Sequence, residues 1–436
     1  MRGRIKFSFL LAIFLSAFVV QVKTVGASEC MLVVDEDIPS PYMKGVPPDK
    51  SLRVESDISW ALDEEKALWA HQNMSSLMNT DFISRGEGPV REIPCSDQTI
   101  IRTKFEDIDG QKLPLVDLLR RLKTEAAIVI KDGKIVGEVY QNGMRPWKRH
   151  QLNSVTKSLV SSLVGVLENE KLLNLEQLFS YAMPQLQGTA VGEGRLKDAL
   201  DMTLGMEWPM GWRDPASLRI KAFMAAGFVE RSADFKWRNT LELIASTKSQ
   251  YKHGEIYRYK PADTEMLGWS VTSATGESWQ RAMSSRIWSR LGAEHDASVV
   301  VNDRGHGFAA AGISATLRDL ARFGMMLENN GYYNGAQIVP ESWIREIITI
   351  DDNVRSIMQK APKKSGYGKN VFYNNQFRVF DNDEGEFFGT GGLGQKLYIN
   401  QKHNLVVVMF ATNHKRAERD HQLHLIYQIR DHLAGL

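Results

Sequence analysis

Two apolar, β-rich runs flank the polar turn at Asp132-Gly133 within "AAIVIKDGKIVGEVYQNG" (residues 126–143). Asp-Gly between two β-rich runs is a strong hairpin signal, because the tight turn that fits strand twist needs positive φ at both positions. The stretch "SVTKSLVSSLVGVLENEKLL" follows from Ser154, apolar almost all round at its start, which predicts a helix buried on every side. Residues 170–300 read mostly as helices and loops, "TEMLGWSVTSATG" and "WQRAMSSRIWSRLG" being two of the helices. "SATLRDLARFGMMLENNG" (314–331) predicts another, stopped by Gly331. Strand patterning returns in "GQKLYINQKHNLVVVMFATN" (394–413) as a hairpin, and "HQLHLIYQIRDHL" closes the chain as an amphipathic helix. Strands at both ends with helices between them predict an α/β fold. One antiparallel sheet, built from both ends and flanked by helices, would carry an inserted, mainly helical subdomain at roughly 170–300.

The N-terminal part reads differently. "MRGRIKFSFLLAIFLSAFVVQVKTVGA" has three early basic residues, a short apolar stretch and a small-residue cleavage pattern at Val25-Gly26-Ala27. It is a signal peptide over residues 1–27, cleaved near Ala27, and it implies an exported protein, periplasmic or secreted. An uncleaved anchor is the competing reading, but the apolar stretch is short for a span of about 20 residues. Residues 28–110 are irregular, with the Pro-rich loop "PSPYMKGVPPDK" and helical spacing in "EEKALWAHQNMSSLM". They are expected to form an arm that wraps the main domain at 111–436.

The full chain of 436 residues carries a formal charge of +2. Residues 1–27 hold four basic and no acidic side chains, so the mature chain stands at −2. Neither value suggests nucleic acid or an anionic membrane as a partner. Cys30 and Cys95 are the only cysteines. Export permits a disulfide between them, and two free thiols are equally compatible with the sequence.

Ser154 and Lys157 stand three apart at the mouth of the buried helix and would share one face of its first turn. Those residues alone suit either a polar helix start or a nucleophile with its base. A lysine acts as base only when neutral, which burial beside Leu159 and Val160 would favour. The chain's other Ser-x-x-Lys, Ser249 to Lys252, lies in a polar loop and opens no apolar helix. A third group could be a tyrosine, since Tyr257 and Tyr259 precede a helix in "HGEIYRYKPADTEMLGW".

"SVTK", then "YRYKPADTEMLGW", then a late Gly-rich strand turn resemble serine hydrolases of the penicillin-binding and class C β-lactamase type. Within that group the chain is most similar to the 6-aminohexanoate-dimer (nylon-oligomer) hydrolase family. "KGVPPDKSLRV", "LWAHQNMSSLM", "LDMTLGMEW", "GFAAAGISATLRDLARFG" and "GGLGQKLYINQKHNLVVV" extend the resemblance over about residues 45–430. It implies a β-lactamase/transpeptidase-like fold and hydrolysis of an amide or ester through an acyl-serine, with no metal or cofactor. It implies Ser154 as nucleophile, Lys157 as its partner and Tyr259 as proton shuttle to the leaving group. The Ser154 N–H would be one oxyanion donor and Gly392 the other, with Gly389 as the alternative. Trp208, Trp212, Tyr257, Thr390 and Gly391 are candidate pocket residues, the aromatic ones suggesting an apolar wall suited to uncharged acyl chains.

Two positions depart from the pattern. Pro261 stands where Asn or Ser is usual after the tyrosine, and "EFFGTGGLGQ" (386–395) has no Lys or His before Thr390. In β-lactam-processing relatives that cation holds the substrate carboxylate, so its absence favours the amide and ester branch. The partner is then a small molecule or short oligomer with an amide or ester bond. D,D-peptidase, β-lactamase and esterase activities of the same fold are alternatives, and a non-catalytic cell-wall or ligand-binding protein is another. HExxH and GxSxG are absent. His421 and His424 suit a solvated helix face better than a metal pair. Asp303-Arg304-Gly305-His306 and the Trp208–Trp212 loop could line the cleft or simply pack. The sequence leaves the natural substrate and oligomeric state open.

Overall fold

The computed structural model describes residues 31–34, 40–57, 59–208, 217–361, 367 and 370–435. Residues 1–27, where a signal peptide is expected, Cys30 and Trp212 lie outside the described residues.

Eight strands form the main sheet: β1 (Leu32–Val33), β2 (Thr124–Lys131), β3 (Lys134–Tyr140), β4 (Val371–Asn374), β5 (Phe377–Phe380), β6 (Glu386–Thr390), β7 (Lys396–Asn400) and β8 (Leu405–Ala411). Their spatial order is β1-β3-β2-β8-β7-β6-β5-β4. The ends of the chain therefore meet in the middle, where β8 pairs with β2. Asp132 and Gly133 both have positive φ, 50° and 74°, as the hairpin signal required. All pairings from β3 to β4 are antiparallel, but β1 joins β3 in parallel, so the sheet is mixed rather than wholly antiparallel. The difference arises because β1 reaches the edge from the N-terminal arm and not through a hairpin.

Five helices organise the rest: α1 (Glu64–Gln72), α2 (Thr156–Asn169), α3 (Pro261–Thr275), α4 (Leu317–Glu328) and α5 (Arg416–Ala434). Every residue of α2 from Thr156 to Leu167 is buried. Within it lies Gly165, where a Cβ would come within 2.2 Å of the Trp343 ring, so the missing side chain is what lets that indole pack. α4 begins three residues later than its apolar pattern suggests, because the Thr316 side chain accepts the Asp319 N–H as an N-cap and Ile313–Ala315 pair as a strand.

That strand belongs to a four-stranded sheet unforeseen from sequence, joining Thr80–Ile83, Ala297–Val300, Ile313–Ala315 and His150–Gln151. It binds the arm to the body of the protein and places its last strand immediately before Ser154. Among the described residues no helix is long and apolar enough to cross a membrane.

Candidate active site

Ser154 lies in a short 3-10 turn, Asn153–Val155, that leads into α2. The Leu152 N–H donates to the Ile313 carbonyl at 2.8 Å, which ties this turn to the small sheet. The Ser154 side chain faces the Tyr259 hydroxyl, where it works against the upward push of burial on the tyrosine. Lys157 follows one turn on, buried, with its Nζ donating to the Ala310 carbonyl and lying 5.5 Å from the centre of the Tyr259 ring. Burial takes the Lys157 ammonium down to about 7 against the opposing pull of Glu265. A substantial neutral fraction near pH 7 is what proton acceptance by a lysine requires. Lys252 of the rival Ser-x-x-Lys is 81% exposed and faces Glu255, and Ser249 is exposed as well.

Glu265, on α3, was not anticipated. It accepts hydrogen bonds from the Ala310 N–H and from Thr240 Oγ1, both at 2.8 Å, and burial raises its carboxyl to about 7. A carboxylate inside an amphipathic-looking helix carries no sequence signal of its own.

Tyr259 stands two residues before α3, whose first residue is Pro261. Proline suits that position because its fixed φ begins the helix and its missing N–H would have had no partner there. The departure from Asn or Ser is thus a helix start, and the polar contact of Lys157 comes from Ala310 instead. Burial raises the Tyr259 hydroxyl above its ordinary value, so it keeps its proton at neutral pH. The Arg378 guanidinium lies over the rings of Tyr259, Tyr367 and Tyr373 at 5.5, 4.5 and 5.5 Å. Tyr257 packs on Tyr373 with ring centres 5.3 Å apart.

The Gly-rich stretch meets the serine turn from the other side. A Cβ on Gly391 would sit 2.4 Å from the Leu152 carbonyl, so only glycine allows this approach. Gly392 opens the turn Gly392–Gly394, and the first N–H groups of such a turn have no partner within it. Asn153 Nδ2 donates to the Gly392 carbonyl at 2.8 Å. Gly389 instead lies inside the ladder opposite Leu397, where a Cβ would meet Ser158 Oγ at 2.9 Å. Both glycines border the serine turn: a Cβ on Gly389 would also come within 3.6 Å of Val155, and Gly392 is bonded to Asn153.

Thr390 pairs with Lys396 across the β6–β7 hairpin, and Lys396 Nζ donates to Thr390 Oγ1 at 3.2 Å. The cation missing before Thr390 in sequence is therefore present in space, delivered from the opposite strand. Counting the hairpin register back from the turn could have found it. A cavity of about 450 Å³ opens between Tyr259 and Thr390–Gly391, walled by Arg219, Lys396, Arg416 and Arg419, with Asp420 beside them. This wall is cationic, not the apolar one that the sequence suggested. Trp208 does not contribute to it: the indole is buried in the main core cluster.

The remaining candidates lie elsewhere. His306 stacks on Trp269 at 3.6 Å, and Asp303 pairs with Arg231 at 2.9 Å, so that loop is packing. His421 bonds the Glu106 carbonyl at 3.1 Å with His424 edge-on to it. Among the described residues no group of three or more His, Cys, Asp or Glu side chains is placed to hold a metal ion. Cys95 is disulfide-bonded.

The curated 6-aminohexanoate-dimer hydrolase of Paenarthrobacter ureafaciens is 29% identical over 344 residues, covering 79% of this chain and 85% of that protein. A solved structure described as "Putative 6-aminohexanoate-dimer hydrolase from Bacillus anthracis" superposes with a TM-score of 0.80 at 28% identity, covering 89% of this chain and 99% of that one. A Bacteroides dorei structure described as a "putative beta-lactamase" shares the fold at 17% identity and a TM-score of 0.60, over 73% and 97% of the two chains. The profile of the Beta-lactamase family matches residues 119–430, a span holding Ser154, Lys157, Tyr259 and the Gly-rich turn, and the chain therefore belongs to the Beta-lactamase family of hydrolases.

Proposed function

We propose that the protein is an exported serine hydrolase that cleaves short amides, with esters as accessible substrates, through an acyl-Ser154 intermediate. The observation that carries this reading is the meeting of three groups: a serine side chain facing a protonated tyrosine, beside a buried lysine brought down to about 7. Neutral Lys157 accepts the Ser154 proton as Oγ bonds to the carbonyl carbon. The oxyanion rests on the N–H groups of Ser154 and Gly392. As the C–N bond breaks, Tyr259 gives its proton to the leaving nitrogen and regains one through Lys157. Water then attacks the acyl-serine, the same groups carrying the proton in reverse.

The cationic cavity begins at Tyr259, the proposed donor to the leaving group, so the leaving fragment points into it. A fragment carrying a carboxylate fits Lys396, Arg219, Arg416 and Arg419. The dimer of an ω-amino acid, named in the relative from Paenarthrobacter ureafaciens, has such a leaving fragment. The same cations favour a second reading, a β-lactam or D,D-peptide substrate, which also bears a carboxylate. Export is supported by the leader-like residues 1–27 and by a disulfide-bonded Cys95.

Intact mass after incubation with a fluorophosphonate tests the reading. One adduct on the wild type and none on Ser154→Ala is expected, and an unlabelled wild type overturns it. Hydrolysis of the 6-aminohexanoate dimer against covalent trapping by a labelled penicillin separates the two substrate classes.

A further inference from the structure

The two sides of the proposed oxyanion site both hold backbone in the left-handed region. Asn153, just before Ser154, has φ 47°, and Leu393, just after Gly392, has φ 64°. Such conformations persist at non-glycine residues only when neighbours hold them. The Leu393 carbonyl accepts the Asn413 N–H at 2.8 Å. The Gly392 carbonyl accepts from Gln395 Nε2 at 3.1 Å and from Asn153 Nδ2 at 2.8 Å. Among the described residues, the Asn153 bond is the one hydrogen bond that ties this turn to the serine-bearing one.

The orientation of the Asn153 amide is set from behind. His71, on α1 of the N-terminal arm, has Nδ1 2.7 Å from the Ala67 carbonyl and Nε2 3.0 Å from Asn153 Nδ2. A carbonyl can only accept, so Nδ1 carries the proton and the neutral ring offers the Nε2 lone pair to Asn153. The two hydrogens of the Asn153 amide are then fully used, one on His71 and one on Gly392. With the amide turned over, Oδ1 would face the Gly392 carbonyl and repel it. The ring is buried, stacked on His150 at 5.4 Å and edge-on to Trp60 at 5.7 Å, with Glu125, itself bonded to His150, and His414 as the other titratable groups around it. Burial, with His150 beside it, takes His71 down to about 4, which keeps the Nε2 lone pair available at neutral pH.

We propose that His71 is a positioning residue for the reaction: by accepting from Asn153 it fixes the amide that holds Gly392 beside Ser154, so that the arm completes the oxyanion site. The proposal rests on the reading of Ser154 as the acyl-accepting nucleophile.

The test uses the full chain, p-nitrophenyl butyrate as substrate, and two variants. His71→Phe keeps a ring for the stack and removes the acceptor, whereas His71→Gln loses the ring and supplies an amide oxygen that can accept. Losing a whole oxyanion donor typically costs about 100- to 1,000-fold in kcat. Misplacing one is expected to lower kcat about tenfold in His71→Phe, counted per fluorophosphonate-reactive site, with KM within about twofold of wild type. His71→Gln is expected to recover most of that loss, although it packs worse and melts lower. Wild-type kcat in His71→Phe overturns the proposal, and so does a kcat loss larger in His71→Gln than in His71→Phe, because that order follows packing. A wild type whose hydrolysis survives Ser154→Ala overturns the nucleophile reading, and this inference with it.

Discussion

Lys157 and Glu265 reach the two sides of one residue: the lysine donates to the Ala310 carbonyl and the carboxyl accepts the Ala310 N–H. Each is buried, and burial brings an ammonium and a carboxyl toward the same value, about 7. Lys157 lies beside the Tyr259 ring, where the proposed mechanism takes up and returns a proton.

The expected pH profile follows from the sign of the lysine shift. The base works when deprotonated, so kcat/KM should fall about tenfold per pH unit below about 7 and level off above it. Glu265, when ionised, stabilises the lysinium. Glu265→Gln should therefore move the acidic limb to lower pH, read from kcat/KM between pH 4 and 9. A shift to higher pH would contradict this coupling.

Tyr259→Phe should separate two kinds of substrate. A p-nitrophenolate leaves without a proton, so ester cleavage should lose less than about tenfold, whereas an amide needs nitrogen protonation and should lose about 100-fold or more. Parallel kcat measurements on a p-nitrophenyl ester and the 6-aminohexanoate dimer decide it. Equal losses on both would remove the tyrosine from the leaving-group step.

Charge in the cavity should be read by the leaving fragment. Hydrogen bonds to charged groups contribute about 1.5–3 kcal/mol, so Lys396→Met should raise KM roughly 10- to 100-fold for an amide whose leaving fragment carries a carboxylate. The matched carboxamide substrate should be indifferent to the substitution. KM for both substrates, on the wild type and the variant, is the measurement.

Gly165→Ala tests the packing that seats α2. The added methyl would come within 2.2 Å of the Trp343 ring. Overpacking of this kind costs about 1–3 kcal/mol, to be read as a lower denaturation midpoint in urea at unchanged slope.

Local pattern was enough for the hairpin at Asp132-Gly133, the buried helix after Ser154, the late strands and the closing helix, because periodicity and turn chemistry are properties of neighbours in sequence. Resemblance placed Ser154, Lys157 and Tyr259 as a set before any geometry was known. The sequence did not disclose the cations of the cavity. Arg416 and Arg419 share α5, while Arg219, Arg378 and Lys396 lie on three further elements, and only β-register and helix docking bring four of the five to one wall and the other, Arg378, over the tyrosine rings. Trp208 shows the converse: an aromatic residue in a suggestive loop is as readily core as pocket, and burial decided for core. Glu265 and His71 are the sharpest cases. Their positions follow from tertiary packing, and so do their protonation states, because desolvation acts only once the surrounding residues have closed over a group. The sequence by itself determined the first hairpin, the buried helix, the late strands and, through resemblance, the serine, lysine and tyrosine. Tertiary structure alone decided which residues are buried, which share a wall and which hydrogen bonds hold the serine turn to the glycine turn, since those depend on long-range contacts that no local pattern encodes.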